Sequence, residues 1–184
     1  MTDSVIRLGV VGQPSSGKDT VAEYIREHYG FTHLSTGDII RKYVQDNNLG
    51  ELTRPLLRDV GNQLRKEHGS DYLVQLALKD SHPRLIISGI RSVGEAETLK
   101  KNGGKLINID VPIEKRYEWA TARRRDTDHI SFEEFKNQQL AEETNDTYAQ
   151  NVQLVIPMAD YTLENFGTLE ELYKKIDELM TKIL

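Results

Sequence analysis

Short apolar runs alternate along the chain with stretches in which apolar residues recur every three or four positions. Runs that contain β-branched, leucine and aromatic residues predict strands at 6–11, 31–34, 84–90, 105–111 and 160–165. Between these runs the helical period dominates, as in the segments 55–67 and 72–78. Because strands that alternate with helices build a parallel sheet with helices on both faces, the pattern predicts a doubly wound α/β fold with five strands.

Polar residues predict where two of the helices begin. Residues 131–134 and 168–171 have the spacing of capping boxes, which predicts a helix start at each site. The last helix is predicted to bury four apolar residues: Leu172, Ile176, Leu179 and Met180. Residues 145–158 are ambiguous, because a proline within them limits any helix. Three helical segments lie between the second and third strands, and we interpret residues 37–81 as an insertion on one side of the core.

Length and composition narrow the class of protein. The 184 residues suit one domain with a sizeable core, and 38% hydrophobic with 29% charged residues is an ordinary globular composition. A net charge of −5 argues against a broad nucleic-acid-binding surface, and the absence of cysteine excludes disulfides and thiol chemistry. No apolar stretch approaches the ~20 residues that span a bilayer. Residues 1–4 lack the features of a signal peptide, so we expect a cytoplasmic protein without a membrane partner.

The candidate chemistry begins where the first strand ends, in the segment Gly-Gln-Pro-Ser-Ser-Gly-Lys-Asp-Thr at 12–20. A strand precedes this segment and a helical pattern follows it, which is the context of a phosphate-binding loop. Its glycines permit backbone angles that turn successive N–H groups inward around an anion, and the new helix adds its positive dipole end. The alternative is a glycine-rich turn that binds nothing. We predict that a nucleotide, ATP, binds through these residues: Gly12, Pro14, Ser15, Ser16, Gly17, Lys18, Asp19 and Thr20.

One position departs from the usual loop. The strict pattern has Ser or Thr directly after the lysine as a magnesium ligand, whereas here Asp19 follows Lys18 and Thr20 comes next. A carboxylate beside bound phosphates is repelled unless a cation lies between them. We therefore predict that Asp19 and Thr20 organise Mg²⁺, directly or through water. The alternative for Asp19 is that it only caps the helix.

These motifs resemble those of the P-loop nucleoside monophosphate kinases. Adenylate kinases carry a similar loop, a Ser-Thr-Gly-Asp-x-x-Arg stretch like residues 35–41, and Asp-Val-Pro after a core strand, as at residues 110–112. Phage-type deoxynucleoside monophosphate kinases favour Gly-Lys-Asp-Thr in the loop and are similar to this chain at residues 56–65 and 90–96. Dephospho-coenzyme A kinases and an archaeal group of kinase-like proteins look similar across the C-terminal half.

The resemblance implies a single three-layer P-loop kinase domain over residues 1–184, with an acceptor-binding helical insert at 37–81 and a short lid at 123–132. It implies transfer of the γ-phosphoryl group of Mg-ATP to a small-molecule substrate, a nucleoside or deoxynucleoside monophosphate. The implied acceptor-binding residues are Thr36, Gly37, Asp38, Arg41, Asn62 and Arg91. Guanidinium groups neutralise the charge that spreads over oxygen atoms during phosphoryl transfer. The implied catalytic residues are accordingly Lys18, Arg91, Arg123 and Arg124.

Two departures from adenylate kinases bear on this interpretation. Ser88 stands where those enzymes usually have an aspartate near the magnesium, and Asp19 is the carboxylate that would compensate. Trp119 stands where they usually offer an arginine that stacks on the donor base. The indole of Trp119 could stack on adenine in its place, or simply pack in the core.

Two rival functions fit the same residues. A dephospho-coenzyme A kinase would need a base for its ribose hydroxyl acceptor, and Asp19 or Asp38 could serve as that base. A nucleotide-binding regulatory protein with slow hydrolysis would explain the missing carboxylate at Ser88. The intact stretch at 35–41 favours a monophosphate acceptor over the hydroxyl acceptor of dephospho-coenzyme A.

Overall fold

The central sheet is built from the five apolar runs of the sequence, in a computed structural model that describes residues 5–122, 131–140 and 148–184. Its strands are β1 (Ile6–Val11), β2 (Thr32–Ser35), β3 (Arg84–Ser88), β4 (Lys105–Asp110) and β5 (Tyr161–Glu164). Each hydrogen-bonded pair is parallel, and the order across the sheet is β2-β3-β1-β4-β5. The predicted parallel five-stranded α/β fold is confirmed, with β1 and its following loop at the centre.

Helices fill the connections between the strands. α1 (Lys18–Tyr29) follows β1, and the insert between β2 and β3 contains α2 (Thr36–Asp46), α3 (Arg54–His68) and α4 (Tyr72–Ala77). The later helices are α5 (Val93–Lys101), α6 (Ile113–Ala122), α7 (Phe132–Leu140), the short α8 (Val152–Val155) and α9 (Leu169–Ile183). Both predicted capping boxes are present, at the starts of α7 and α9. Within the described ranges, every helix is too short or too polar to cross a bilayer.

Alternate side chains of the strands face two separate helical layers. On one face Leu8 and Val10 pack against α1 and α9, where the four apolar residues predicted for the last helix are buried. On the other face Leu85 and Ile87 pack against α4, α5 and α8. Full burial of one such side chain contributes about 1.5–3 kcal/mol, so the sheet is fixed from both sides and gives the loop after β1 a rigid support.

The insert has an apolar cluster of its own, formed by Ile40, Val44, Val60, Leu64 and Leu73. Its helices α2 and α3 approach closely at Gly61, where a Cβ atom would lie 2.9 Å from Ile40 Cδ1. The insert is tied to the sheet at the start of α2, because the Thr36 hydroxyl donates to the Gly89 carbonyl at 2.7 Å. The helices of the insert therefore stand beside the carboxyl ends of β2 and β3.

Candidate active site

The loop between β1 and α1 forms one wall of the site. Ser15 and Gly17 have positive φ angles of 63° and 83°, and α1 begins at Lys18 without a side-chain capping bond at Gly17. A Cβ atom on Gly12 would lie 2.5 Å from Ser16 Oγ, so the tight curve of the loop requires glycine there. Backbone N–H groups at such a helix start, together with the helix dipole, attract an anion. The loop thus has the geometry that was predicted for phosphate binding.

Two distant side chains hold this loop from outside. Asn165, directly after β5, donates through Nδ2 to the Ser16 carbonyl at 2.9 Å. Arg116 on α6 donates through Nη1 to the Pro14 carbonyl at 3.4 Å and through Nε to the Val111 carbonyl at 3.1 Å. Burial lowers the pKa of Arg116 from its ordinary value, but these carbonyls still receive a guanidinium donor. The loop is therefore held in shape by the protein itself.

A cavity of about 430 Å³ opens at the carboxyl ends of β1, β2 and β3. Its loop side includes Pro14, Ser15, Lys18 and Asp19. Its other walls carry five arginines, four from α2 and α3 and one from the segment after β3: Arg41, Arg54, Arg58, Arg65 and Arg91. Asp19 is the one carboxylate among the described residues that line it. A lining with this excess of cations favours an anionic ligand.

The start of the insert brings several predicted acceptor residues to the cavity. Thr36, Gly37 and Arg41 line it. Asp38 is not among the described lining residues, and instead accepts from Arg41 Nη1 at 2.6 Å in a pair whose side chains are 71% and 46% exposed. Asn62 also lies off the lining and accepts the backbone N–H of Gln150 at 3.1 Å. The predicted roles of Asp38 and Asn62 in binding the acceptor stay predictions.

Arg91 is held by a buried network at the base of the cavity. Its Nη1 donates to Gln150 Oε1 at 3.2 Å, and its backbone N–H donates to Glu95 Oε2 at 2.7 Å. Glu95 Oε1 accepts from Arg65 Nε at 2.8 Å, and both side chains of this ion pair are buried, at 0% and 1% exposure. Among the described residues Arg65 Nη2 has no hydrogen-bond partner. Arg65, one of the residues that line the cavity, therefore has a buried donor without a partner among the described residues.

On the loop side, Asp19 is brought to the cavity, where Ser88 Oγ donates to its Oδ1 at 3.2 Å. Thr20 is exposed and not among the described lining residues, so its role as a metal ligand stays a prediction. The part of the chain that the structure describes holds no cluster of three or more His, Cys, Asp or Glu that could bind a metal. Mg²⁺ commonly takes only one or two protein carboxylates together with phosphate oxygens and waters. Asp19 beside Lys18 fits that mode of binding.

Other predicted residues lie away from the cavity or outside the described ranges. Trp119 is partly buried and packs against the core cluster on the α1 and α9 face of the sheet. This is the core-packing alternative, while stacking of Trp119 on adenine stays a prediction. Arg123, Arg124 and the lid segment before residue 131 fall outside the described residues.

Sequence reasoning missed several lining and supporting residues. Arg54 and Arg58 are four residues apart at the start of α3, a spacing that puts both side chains on one helical face and that the sequence does show. Arg65 belongs to the stretch that is similar to phage-type kinases, but nothing in that stretch predicts that the Arg65 side chain is buried. For Gln150, Arg116 and Asn165 the sequence carries no local signal, because each reaches the site through tertiary contacts.

The sequence of this chain is similar to a family model and to several archaeal proteins. A family model described as "AAA domain" matches residues 11–136. A UPF0200/UPF0201 protein of Archaeoglobus fulgidus is 34% identical over 185 residues, and the match covers 96% of this chain but 55% of that protein. The chain thus spans about half the length of that relative. A UPF0200 protein of Thermococcus gammatolerans is 32% identical over 185 residues, which cover 95% of this chain and 94% of that protein.

Solved structures share the fold at low sequence identity. The crystal structure of a shikimate kinase from Bacteroides thetaiotaomicron superimposes with a TM-score of 0.64 at 11% identity, over 96% of this chain and 97% of that one. At this identity the likeness shows the kinase-like P-loop fold alone. The closer resemblance to nucleoside monophosphate kinases therefore stays a prediction about the acceptor.

Proposed function

The chain belongs to the AAA domain family and to the UPF0200 proteins, and on that premise we propose that it transfers the γ-phosphoryl group of Mg-ATP to a nucleoside or deoxynucleoside monophosphate. The kinase-like P-loop fold supports nucleotide-dependent phosphotransfer. The observation that carries the proposal is that the phosphate-binding loop and five arginines line the same cavity. Such a lining suits two phosphorylated molecules that meet end to end.

The donor nucleotide binds on the loop side in this proposal. Lys18 and the loop N–H groups hold the outer phosphates, while Asp19 offers a carboxylate oxygen to Mg²⁺. When bound, the metal neutralises charge on the donor phosphates. An acceptor phosphate is already ionised, so positioning and electrostatic stabilisation carry the reaction and no general base is needed.

The acceptor phosphate binds on the side of the insert. Arg41 and Arg91 bind it, and Arg54 and Arg58 add positive charge to the lining of the cavity. The ion pair between Arg41 and Asp38 is largely exposed, and pairs of this kind contribute only about 0–1 kcal/mol. A phosphate, with two charged oxygens for one guanidinium fork, therefore displaces Asp38 at little cost.

The structure also bears on a hydroxyl acceptor such as that of dephospho-coenzyme A. A hydroxyl requires a base, and Asp38 is not among the described residues that line the cavity. Asp19 already accepts a hydrogen bond from Ser88. The residues on the acceptor side thus favour a ligand that arrives as an anion.

The test is a coupled assay of ADP release across nucleoside monophosphates, deoxynucleoside monophosphates and dephospho-coenzyme A. Turnover that depends on a monophosphate is expected. ADP release only with dephospho-coenzyme A would contradict the proposal. Slow ADP release at a rate that does not depend on any acceptor would also contradict it. The first result would favour the hydroxyl kinase, and the second would favour a regulatory ATPase.

Separate titrations of ATP and of the active monophosphate by calorimetry locate the acceptor site. Arg41→Ala and Arg91→Ala should weaken monophosphate binding far more than ATP binding, because both guanidinium groups lie on the acceptor side. Lys42→Ala is a matched control, since Lys42 is the next residue on α2, is 75% exposed and pairs with Asp46. Equal losses for both ligands, or the same loss in the control, would contradict the assignment.

A further inference from the structure

One face of α3 lines the cavity along about three turns of the helix. It contributes residues at helical spacing: Arg54, Leu57, Arg58, Gly61 and Arg65. Arg65 comes seven positions after Arg58, which is about 10 Å along the helix axis. The proposed phosphoryl transfer uses the positive charges of Arg54 and Arg58 and assigns no role to Arg65. The end of this face at Arg65 is therefore available to another part of the acceptor.

Arg65 is a buried arginine whose hydrogen bonds are incomplete. A guanidinium group has five N–H donors. In the part of the chain that the structure describes, Nε donates to Glu95 Oε1 at 2.8 Å, while Nη2 is buried and has no partner. A buried donor without an acceptor is destabilising. Because Arg65 is one of the residues that line the cavity, an oxygen atom of a ligand is the acceptor that this wall lacks.

Gln150 is a second donor in the same lining. Its side chain is buried, and Oε1 accepts from Arg91 Nη1 at 3.2 Å. An arginine only donates, so the amide atom beside Arg91 is the oxygen and the other amide atom is the nitrogen. Nε2 is therefore the amide atom that is left for a ligand. A ligand atom that binds to Arg65 and Gln150 has to accept hydrogen bonds.

The charge of this wall favours an uncharged oxygen over a phosphate. Glu95 compensates the charge of Arg65, because the two buried side chains form an ion pair at 2.8 Å. A phosphate oxygen at Arg65 would also approach the carboxylate of Glu95 and be repelled by it. A carbonyl oxygen carries no net charge, so it accepts from Arg65 without this repulsion.

Apolar side chains lie close to these donors. Ile40, Leu52 and Leu57 line the same cavity. A Cβ atom on Gly61 would lie 2.9 Å from Ile40 Cδ1 and 3.4 Å from Arg65 Nη1, so both side chains border the bare backbone at Gly61. Ligand pockets combine apolar walls with a few placed polar groups in this way. The combination suits a flat heterocycle whose faces pack on apolar side chains and whose edge carries a carbonyl group.

We propose that Arg65, together with Gln150, determines the specificity for the acceptor base and selects bases that have a carbonyl group where adenine and cytosine have an amino group. The selected bases are guanine, hypoxanthine, uracil and thymine. This inference rests on the proposed function and adds the class of base to it. An amino group in the same place sets a donor against donors and leaves the buried N–H groups unpaired, which is how a polar site rejects a similar ligand.

The selection is measured by calorimetry without ATP and without Mg²⁺. Inosine monophosphate is compared with adenosine monophosphate, and uridine monophosphate with cytidine monophosphate, each as the ribonucleotide and the deoxyribonucleotide. Within each pair the sugar and the phosphate are the same. The base with the carbonyl group should bind at least about tenfold more tightly. Equal affinities within both pairs, or tighter binding of the amino base, would overturn the proposal.

The role of Arg65 is tested in the double variant Arg65→Met with Glu95→Leu, which removes the donors and the buried counter-charge together. Its affinities for the two members of each pair should become nearly equal. Arg58→Met is the matched control, because Arg58 lines the cavity on the same face of α3. This control should weaken both members of a pair by the same factor and leave their ratio unchanged. Arg65→Lys keeps a positive charge beside Glu95 but lacks the guanidinium fork, so it should also lower the ratio if the double variant does not fold.

The outcomes separate this inference from the proposed function. A wild-type ratio in the folded Arg65 variants, or the same loss of ratio in Arg58→Met, would overturn the role of Arg65. ADP release with monophosphates that bind equally well within each pair would overturn the selection of the base and leave the kinase in place. Tight binding of inosine and uridine monophosphates without ADP release from ATP would refute the proposed function and leave the selection. Absence of binding for every monophosphate would overturn both.

Discussion

Replacement of Glu95 by alanine should destabilise the protein severely, because this side chain serves two purposes at once. Glu95 is fully buried and neutralises Arg65, which is 1% exposed. Its Oε2 also accepts the backbone N–H groups of Arg91 and Ser92, at 2.7 and 3.2 Å, as part of the capping box of α5. Alanine removes all of these acceptors and leaves the guanidinium group of Arg65 buried without its counter-charge.

The expected loss of stability in Glu95→Ala has two parts, one from the ion pair and one from the helix cap. Removal of one partner of a buried ion pair costs about 3–5 kcal/mol, because the other charge stays desolvated. Loss of a helix cap costs about 1 kcal/mol. Together these give roughly 4–6 kcal/mol, a large part of the ~5–15 kcal/mol by which domains of ordinary size are stable. For a chain of this length the melting temperature should fall on the order of 10–20 °C.

Urea unfolding followed by circular dichroism measures the free energy of unfolding of Glu95→Ala. The matched control is Glu171→Ala, because Glu171 forms the same type of capping box with Thr168 at the start of α9 but is exposed and has no buried cation beside it. The control should lose only about 1 kcal/mol. Equal losses at the two positions would refute the reasoning about the ion pair. Replacement of both partners, Arg65→Met with Glu95→Leu, should recover much of the stability.

Three further results are expected. Lys18→Ala should leave the fold intact and lower turnover by orders of magnitude, because a charge on the transferred phosphate is lost; wild-type turnover in the folded variant would contradict the assignment of the loop. Asp19→Asn should raise the Mg²⁺ concentration needed for half-maximal rate, whereas capping alone predicts an unchanged curve, since Asn caps about as well as Asp. Burial and the hydrogen bond to Asp177 raise the pKa of Tyr29 from 10.0 to about 12. The stability from the neutral hydroxyl is therefore present below pH 10 and lost as the pH rises through about 12, and Asp177→Asn should lower this pKa in an ultraviolet titration of tyrosinate.

The parts of the fold that could be predicted are those encoded locally. The apolar run at 6–11 and the glycines at 12 and 17 specify a strand and a tight loop without help from the rest of the chain. The same holds for the capping box at 168–171 and the buried face of α9. Strand ends shifted by one or two residues, as in β3, which ends at Ser88 and not at Ile90. These shifts reflect where pairing with β1 stops, which is a tertiary property.

The parts of the site that could not be predicted depend on contacts between distant residues. Arg65 and Glu95 are 30 positions apart, and nothing in either local sequence shows that they pair and become buried. Arg116 looks like an ordinary helical surface charge in the sequence, yet it is 4% exposed and binds the Pro14 carbonyl. The segment that contains Gln150 was ambiguous, because its short helix α8 is fixed by packing on α5 and not by its own periodicity.

The contact between Asn165 and Ser16 has a consequence for how the protein is made. The two residues are 149 positions apart. During translation the loop is therefore synthesised long before Asn165, whose side chain holds it in shape. The strand that carries the loop, β1, also lacks one of its two neighbours until β4 has emerged. We therefore expect ATP to protect full-length chains from protease, but not nascent chains arrested before Asn165. The nucleotide-binding motif is thus synthesised early, but nucleotide stabilises it only after most of the chain has been added.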